Sequence, residues 1–193
     1  MARPRQFEQE QVMDAVMDTF WRRGYEATTA QDLVKATGLG RGSLYNAFSS
    51  KQALYEQALR HYQQRSRHNV EQLQQAGPVR ERLRALLLSV LDADLGAAQQ
   101  RGCLATNAAV DQAGHNPEVK ALVRENFGIL EKGLRQAIVR GQQAGELRPG
   151  TDADALAAFV LNAMQGLRVL AKTTPAQERE RLVAVIELTL GVL

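Results

Sequence analysis

Apolar side chains recur along this chain at steps of three and four residues, and no useful stretch alternates apolar with polar. That step is the period of an α-helix, so the pattern predicts helix throughout and an all-α fold. Val12, Met13, Val16, Met17, Thr19 and Phe20 mark a first helix, which Gly24 is expected to end. Thr29, with Asp32 three places on, reads as the N-cap of a short helix carrying Leu33, Val34 and Ala36. Gly38-Leu39-Gly40 breaks it, and Arg41 to Phe48 predicts a third helix. Ser50 then caps a longer one with Leu54, Tyr55, Ala58, Leu59 and Tyr62 on its apolar side.

Gly77-Pro78 marks the next junction. Beyond it come helices centred on Leu83 to Leu95, on Leu104 to Gln112, on Val119 to Ile138 and on Leu156 to Leu170. A last one carries Leu182, Val185, Ile186, Thr189 and Leu190. Asn116-Pro117, Asp152 and Thr174-Pro175 supply the starts, and Gly145 to Gly150 a break.

Two short helices joined by a tight glycine turn are the parts of a helix-turn-helix, and Thr29 to Phe48 supplies them. Gly38 can take the left-handed conformation that closes the first, and Leu39 plugs the turn. Leu44 and Phe48 lie four apart and face inward. Arg41, Gly42, Ser43, Tyr45 and Asn46 are then left on the other side. Arg41 can pair with guanine or phosphate, Asn46 with adenine or phosphate, and Ser43 and Tyr45 can donate to phosphate. Gly42 adds no bulk against a groove wall. Lys51 stands beside the exposed N–H groups of the next helix, which favour an anion. Arg3 and Arg5 are expected to precede the first helix as a mobile basic arm.

Charge changes this picture slightly. The 193 residues carry +3 overall, and residues 1–68 hold all of it, with 10 Lys+Arg against 7 Asp+Glu. The excess coincides with the helix-turn-helix. Met1 to Glu10 is unlike a secretory leader, and no apolar run reaches the roughly 18 residues of a membrane span. Cys103 is the one cysteine and fits a reducing compartment, so a cytoplasmic protein without membrane association is expected.

Enzyme and cofactor motifs are missing. Gly38, Gly40 and Gly42 follow a helix, and Ser43 stands where a dinucleotide loop needs its third glycine. His61, His68 and His115 lack zinc spacing, and there is no G-x-S-x-G elbow. No cofactor, no metal and no catalytic residue is expected. Cys103 follows Gly102 at a helix start, where a dipole favours thiolate and would suit a redox sensor. The plainer reading, a small buried hydrophobe, is preferred.

The run "TTAQDLVKATGLGRGSLYNAFSSKQAL", residues 28–54, resembles the TetR family of bacterial transcriptional regulators. The shared pattern is Thr29, Asp32-Leu33, Gly38-Leu39, Gly42-Ser43-Leu44-Tyr45, Phe48 and Ser50-Lys51. Many members carry His before the Phe; here Ala47 stands there, which removes one backbone contact. The resemblance implies a three-helix DNA-binding domain over 1–50 joined to a larger helical effector-binding and dimerisation domain over 51–193. It implies a repressor of double-stranded operator DNA, released by a small-molecule or redox signal. The DNA contacts are then Arg3, Arg5, Thr29, Arg41, Gly42, Ser43, Tyr45, Asn46 and Lys51.

A homodimer is expected through the last two helices, whose apolar faces are broad, and Val160→Glu or Ile186→Glu is expected to yield monomers or insoluble protein, because an unpaired charge would be buried. Cys103, Asn107, Phe127, Leu130, Phe159, Asn162 and Met164 are the expected lining of the effector cavity. The competing expectation is an all-helical small-molecule-binding protein or enzyme whose N-terminal likeness is incidental. Salt-sensitive binding to duplex DNA separates the two.

Overall fold

Caps and glycines set the helix ends much as the spacing predicts. In a computed structural model, which describes residues 3–96 and 100–193 with side chains from residue 9 onward, the described residues form helices and no strand. The order is α1 (Arg3–Ala27), α2 (Ala30–Thr37), α3 (Arg41–Phe48), α4 (Lys51–Gln74), α5 (Val79–Gly96), α6 (Leu104–Asp111), α7 (Pro117–Gln143), α8 (Ala153–Ala171) and α9 (Arg179–Gly191), the last preceded by a 3-10 turn (Ala176–Glu178). Asn116 accepts from the Val119 N–H at 3.1 Å, and Asp152 accepts from the Asp154 N–H at 3.1 Å, so both cap as expected.

Two differences from expectation concern α1. It does not stop at Gly24: that residue sits at φ 76° and ψ 171°, the helix kinks there, and it resumes as far as Ala27. Arg3 and Arg5 lie within the helix backbone, not on an arm before it, and their side chains lie outside the described ones.

The chain forms two compact units. The first comprises residues 1–64 and 104–124, the second residues 65–103 and 125–193. The first is larger than the expected 1–50 for a physical reason. Leu54, Tyr55, Ala58, Leu59 and Tyr62 on α4 are buried, and the rings of Tyr55 and Tyr62 meet Phe20 and Trp21 of α1 edge-on, each at 5.0 Å. α6 packs on α1 in the same unit, where Gln112 donates to Glu26 at 3.2 Å. Three helices alone would leave those apolar faces in water, at about 1.5–3 kcal/mol for each large side chain.

The second unit has its own core. Leu83, Leu86, Leu87 and Leu91 of α5 meet Leu156, Val160, Met164 and Leu167 of α8 and Leu182, Ile186 and Leu190 of α9. Val160 and Ile186 are fully buried in this core, so of the two outcomes expected for a glutamate there, monomers or insoluble protein, their burial within the protomer favours the second. A glutamate at either would break the protomer. The outward side of α8 and α9 instead carries Phe159, Val169, Leu170, Leu188 and Val192, between 40% and 74% exposed.

α8 has 19 residues and a mean hydropathy of 1.2, long and apolar enough by length and composition to cross a membrane. Its apolar residues serve this core on one side, and its Arg168 forms an ion pair with Asp94 of α5. That pair is almost wholly enclosed. Arg168 donates to both Asp94 oxygens, at 2.8 and 3.1 Å, and to the Gly102 carbonyl at 2.8 Å. Side-chain exposure is only 11% and 6%.

Candidate nucleic-acid interface

The recognition surface begins with the start of α2. Thr29 accepts from the Asp32 N–H at 3.2 Å, and Asp32 accepts from the Thr29 N–H at 2.9 Å and hydroxyl at 2.7 Å. Both halves of the capping box are therefore present. Those bonds hold the Asp32 carboxyl below the usual carboxylate range, helped by the nearby Arg23. Its stabilisation is complete above the ordinary carboxylate pKa and is lost as pH falls through the lowered one. Thr29→Ala is expected to cost about 1 kcal/mol in a urea melt at neutral pH. An unchanged midpoint would remove the cap from the account.

Gly38 then turns the chain. Its φ of 70° is left-handed, and its N–H donates to the Val34 carbonyl at 3.0 Å, closing α2. Leu39 is half-buried rather than a full plug. α3 follows with Leu44 fully buried and Phe48 at 7% exposure. The opposite face presents Arg41, Gly42, Ser43 and Asn46, all exposed, with Tyr45 half-buried beside them. Thr29 is exposed, though its hydroxyl is engaged in the cap.

Lys51, the first residue of α4, is more constrained than the sequence suggests. Its ammonium lies 4.4 Å from the centroid of the Tyr25 ring and 3.4 Å from the Glu26 carbonyl oxygen. The Ser50 hydroxyl accepts from the Ala53 N–H at 3.0 Å, as a cap should.

A cleft of about 440 Å³ also opens between α1 and α2, lined by Arg22, Arg23 and Lys35 with Asp18 and Asp32. Arg22 pairs with Asp18, and Arg23 lies 3.2 Å from Asp32. Its charge is largely compensated, which distinguishes it from the open face of α3.

The expected effector residues fall in both units and differ in burial. Cys103, Leu130 and Met164 are buried and Phe127 is half-buried, all in the second unit. Asn107 is half-buried on α6 of the first unit. Phe159 and Asn162 are exposed on the outward side of α8, three residues apart, while Met164 faces the core. The apolar stripe there is wide enough to serve two faces, and spacing alone does not say which face is inward. Among the described residues, no three His, Cys, Asp or Glu side chains are grouped to hold a metal.

A helical unit displaying the polar face of α3, interleaved along the chain with a second helical unit that has its own core, is the arrangement of a helix-turn-helix regulator. The comparisons agree. Residues 12–58 match the family described as bacterial regulatory proteins, tetR family, and residues 79–186 match the tetracyclin repressor-like C-terminal domain. The chain is 29% identical to the HTH-type transcriptional regulator YezE of Bacillus subtilis, over the whole of both chains. It is 26% identical to the HTH-type transcriptional repressor ComR of Escherichia coli, over 92% of this chain and 85% of ComR. A cysteine-substituted form of the TetR family regulator CifR, solved with a 26-bp operator duplex, is 34% identical over 95% of each chain, with a TM-score of 0.83. This chain belongs to the TetR family and is a helix-turn-helix transcriptional regulator.

Proposed function

We propose that the protein is a cytoplasmic, homodimeric repressor that occupies double-stranded operator DNA and leaves it on a small-molecule or redox signal. The observation that carries this reading is the face of α3. Arg41, Gly42, Ser43 and Asn46 are exposed on a helix anchored from behind by Leu44 and Phe48. Arg41 and Asn46 read bases, Ser43 and Tyr45 hold backbone, and Lys51 neutralises a phosphate. Residues 1–50, with Lys51 at the head of α4, carry the DNA contacts, and the rest of 51–193 carries assembly and effector binding.

The outward apolar side of α8 and α9 is where a second copy docks. Dimerisation presents two recognition helices to successive major grooves, about 34–36 Å apart. Phe159 and Asn162 belong to that face. An effector is met instead by Cys103, Phe127, Leu130 and Met164 in the second unit. It releases DNA only if it binds the released state more tightly.

Lys51→Ala tests the DNA reading. It should weaken binding to every duplex and lower the magnitude of the salt slope by about one, while Asn46→Ala should relax preference at one base position. Titrations at several salt concentrations that show neither change would remove both residues from the interface.

A further inference from the structure

Lys51 is a long, flexible side chain whose head, left free, samples many rotamers. Here it is held from two sides by consecutive residues. Its ammonium sits 4.4 Å from the Tyr25 ring centroid and donates to the Glu26 carbonyl at 3.4 Å. Both residues follow directly on the kink at Gly24, whose left-handed φ of 76° no other residue type adopts readily.

The Tyr25 ring is itself braced. It stacks on Phe20 of α1 at 6.2 Å and 18°, and meets Tyr55 of α4 at 5.0 Å. Tyr55 lies four residues beyond Lys51 on the same helix face, so α4 grips the ring with both side chains. Burial and the neighbouring carboxylates Glu26 and Glu56 raise the Tyr25 phenol above its ordinary pKa, so the ring is a neutral π-surface at physiological pH.

We infer that Tyr25 is a positioning residue for DNA binding: its ring holds the Lys51 ammonium in place before DNA arrives. The inference rests on Lys51 being a phosphate contact. Ammonium has three N–H donors, and the ring and one carbonyl leave one for a phosphate oxygen. Ordering the head in the free protein removes an entropic cost from association. A cation over an aromatic face at a partly exposed site is worth about 0.5–1 kcal/mol, which sets the expected effect at roughly 2- to 5-fold in affinity.

The test is a double-mutant cycle on a labelled duplex enriched from a randomised pool by the wild-type protein. Tyr25→Leu should weaken binding roughly 2- to 5-fold, and Tyr25→Phe, which keeps the ring, should bind as wild type. In a Lys51→Ala background, Tyr25→Leu should have no further effect. Equal weakening in both backgrounds assigns Tyr25 a purely structural role and overturns the inference. So does unchanged or tighter binding by Tyr25→Leu. If Lys51→Ala itself binds as wild type, the phosphate reading of Lys51 has failed, and the inference falls with it. A measurement independent of folding in any variant is proton NMR of the wild type. The Lys51 ε-methylene protons should be shifted upfield by the ring current, and an unshifted resonance would contradict the contact.

Discussion

Arg168→Met is expected to destabilise the protein by about 3–5 kcal/mol, because it leaves the Asp94 carboxylate buried without its cation. The pair is almost wholly enclosed, with side-chain exposures of 11% and 6%. Arg168 also supplies the donor for the Gly102 carbonyl, which would lose that bond. The size of the effect belongs to the orphaned charge and not to the pair as such. Replacing both partners, Asp94→Leu with Arg168→Met, should therefore recover most of the loss. Denaturant unfolding of the two single variants and the double variant measures this. A double variant no better than Arg168→Met would mean that the pair's hydrogen bonds to the Gly102 segment matter more than charge burial.

The second large effect is on assembly. Phe159→Glu and Leu188→Glu place a charge on side chains that are 40% and 74% exposed in the protomer. Protomer stability should barely change, whereas a charge within a closed dimer face costs about 2 kcal/mol or more, some 30-fold in association. Loss of the second recognition helix should then lower operator affinity by about 100-fold or more. Val160→Glu is the contrasting case. Val160 is fully buried, so that variant should be unfolded or insoluble rather than monomeric. Sedimentation separates these outcomes, and a dimeric Phe159→Glu protein would move the interface elsewhere.

Most of the helical plan was legible in the sequence because caps and turns act locally. Thr29 with Asp32, Gly38, Asn116 and Asp152 each satisfy their own backbone neighbours, and the structure shows those bonds. The inward pair Leu44 and Phe48 followed from period alone. Faces of α8 were not legible in the same way. Apolar side chains surround most of that helix, so periodicity did not separate Val160, which packs inside, from Phe159, which is exposed.

The long-range polar partners were equally hidden. Asp94 and Arg168 stand 74 positions apart and each resembles an ordinary charged surface residue in sequence. Ser66 and Asn126, a buried pair joined at 2.9 Å between α4 and α7, give no local signal either. Tyr25 gives no local signal because its partner Lys51 comes from a different helix. The positive φ of Gly24, one residue before Tyr25, reads in sequence only as a helix end.

The most direct measurement is the salt dependence of wild-type binding to the enriched duplex, followed by fluorescence anisotropy with the number of protomers bound. An even number of protomers per site is expected, with a log affinity that falls linearly with log salt, by about 0.9 for each phosphate neutralised. Absence of duplex binding, or binding by single protomers with no dependence on salt, would contradict this expectation.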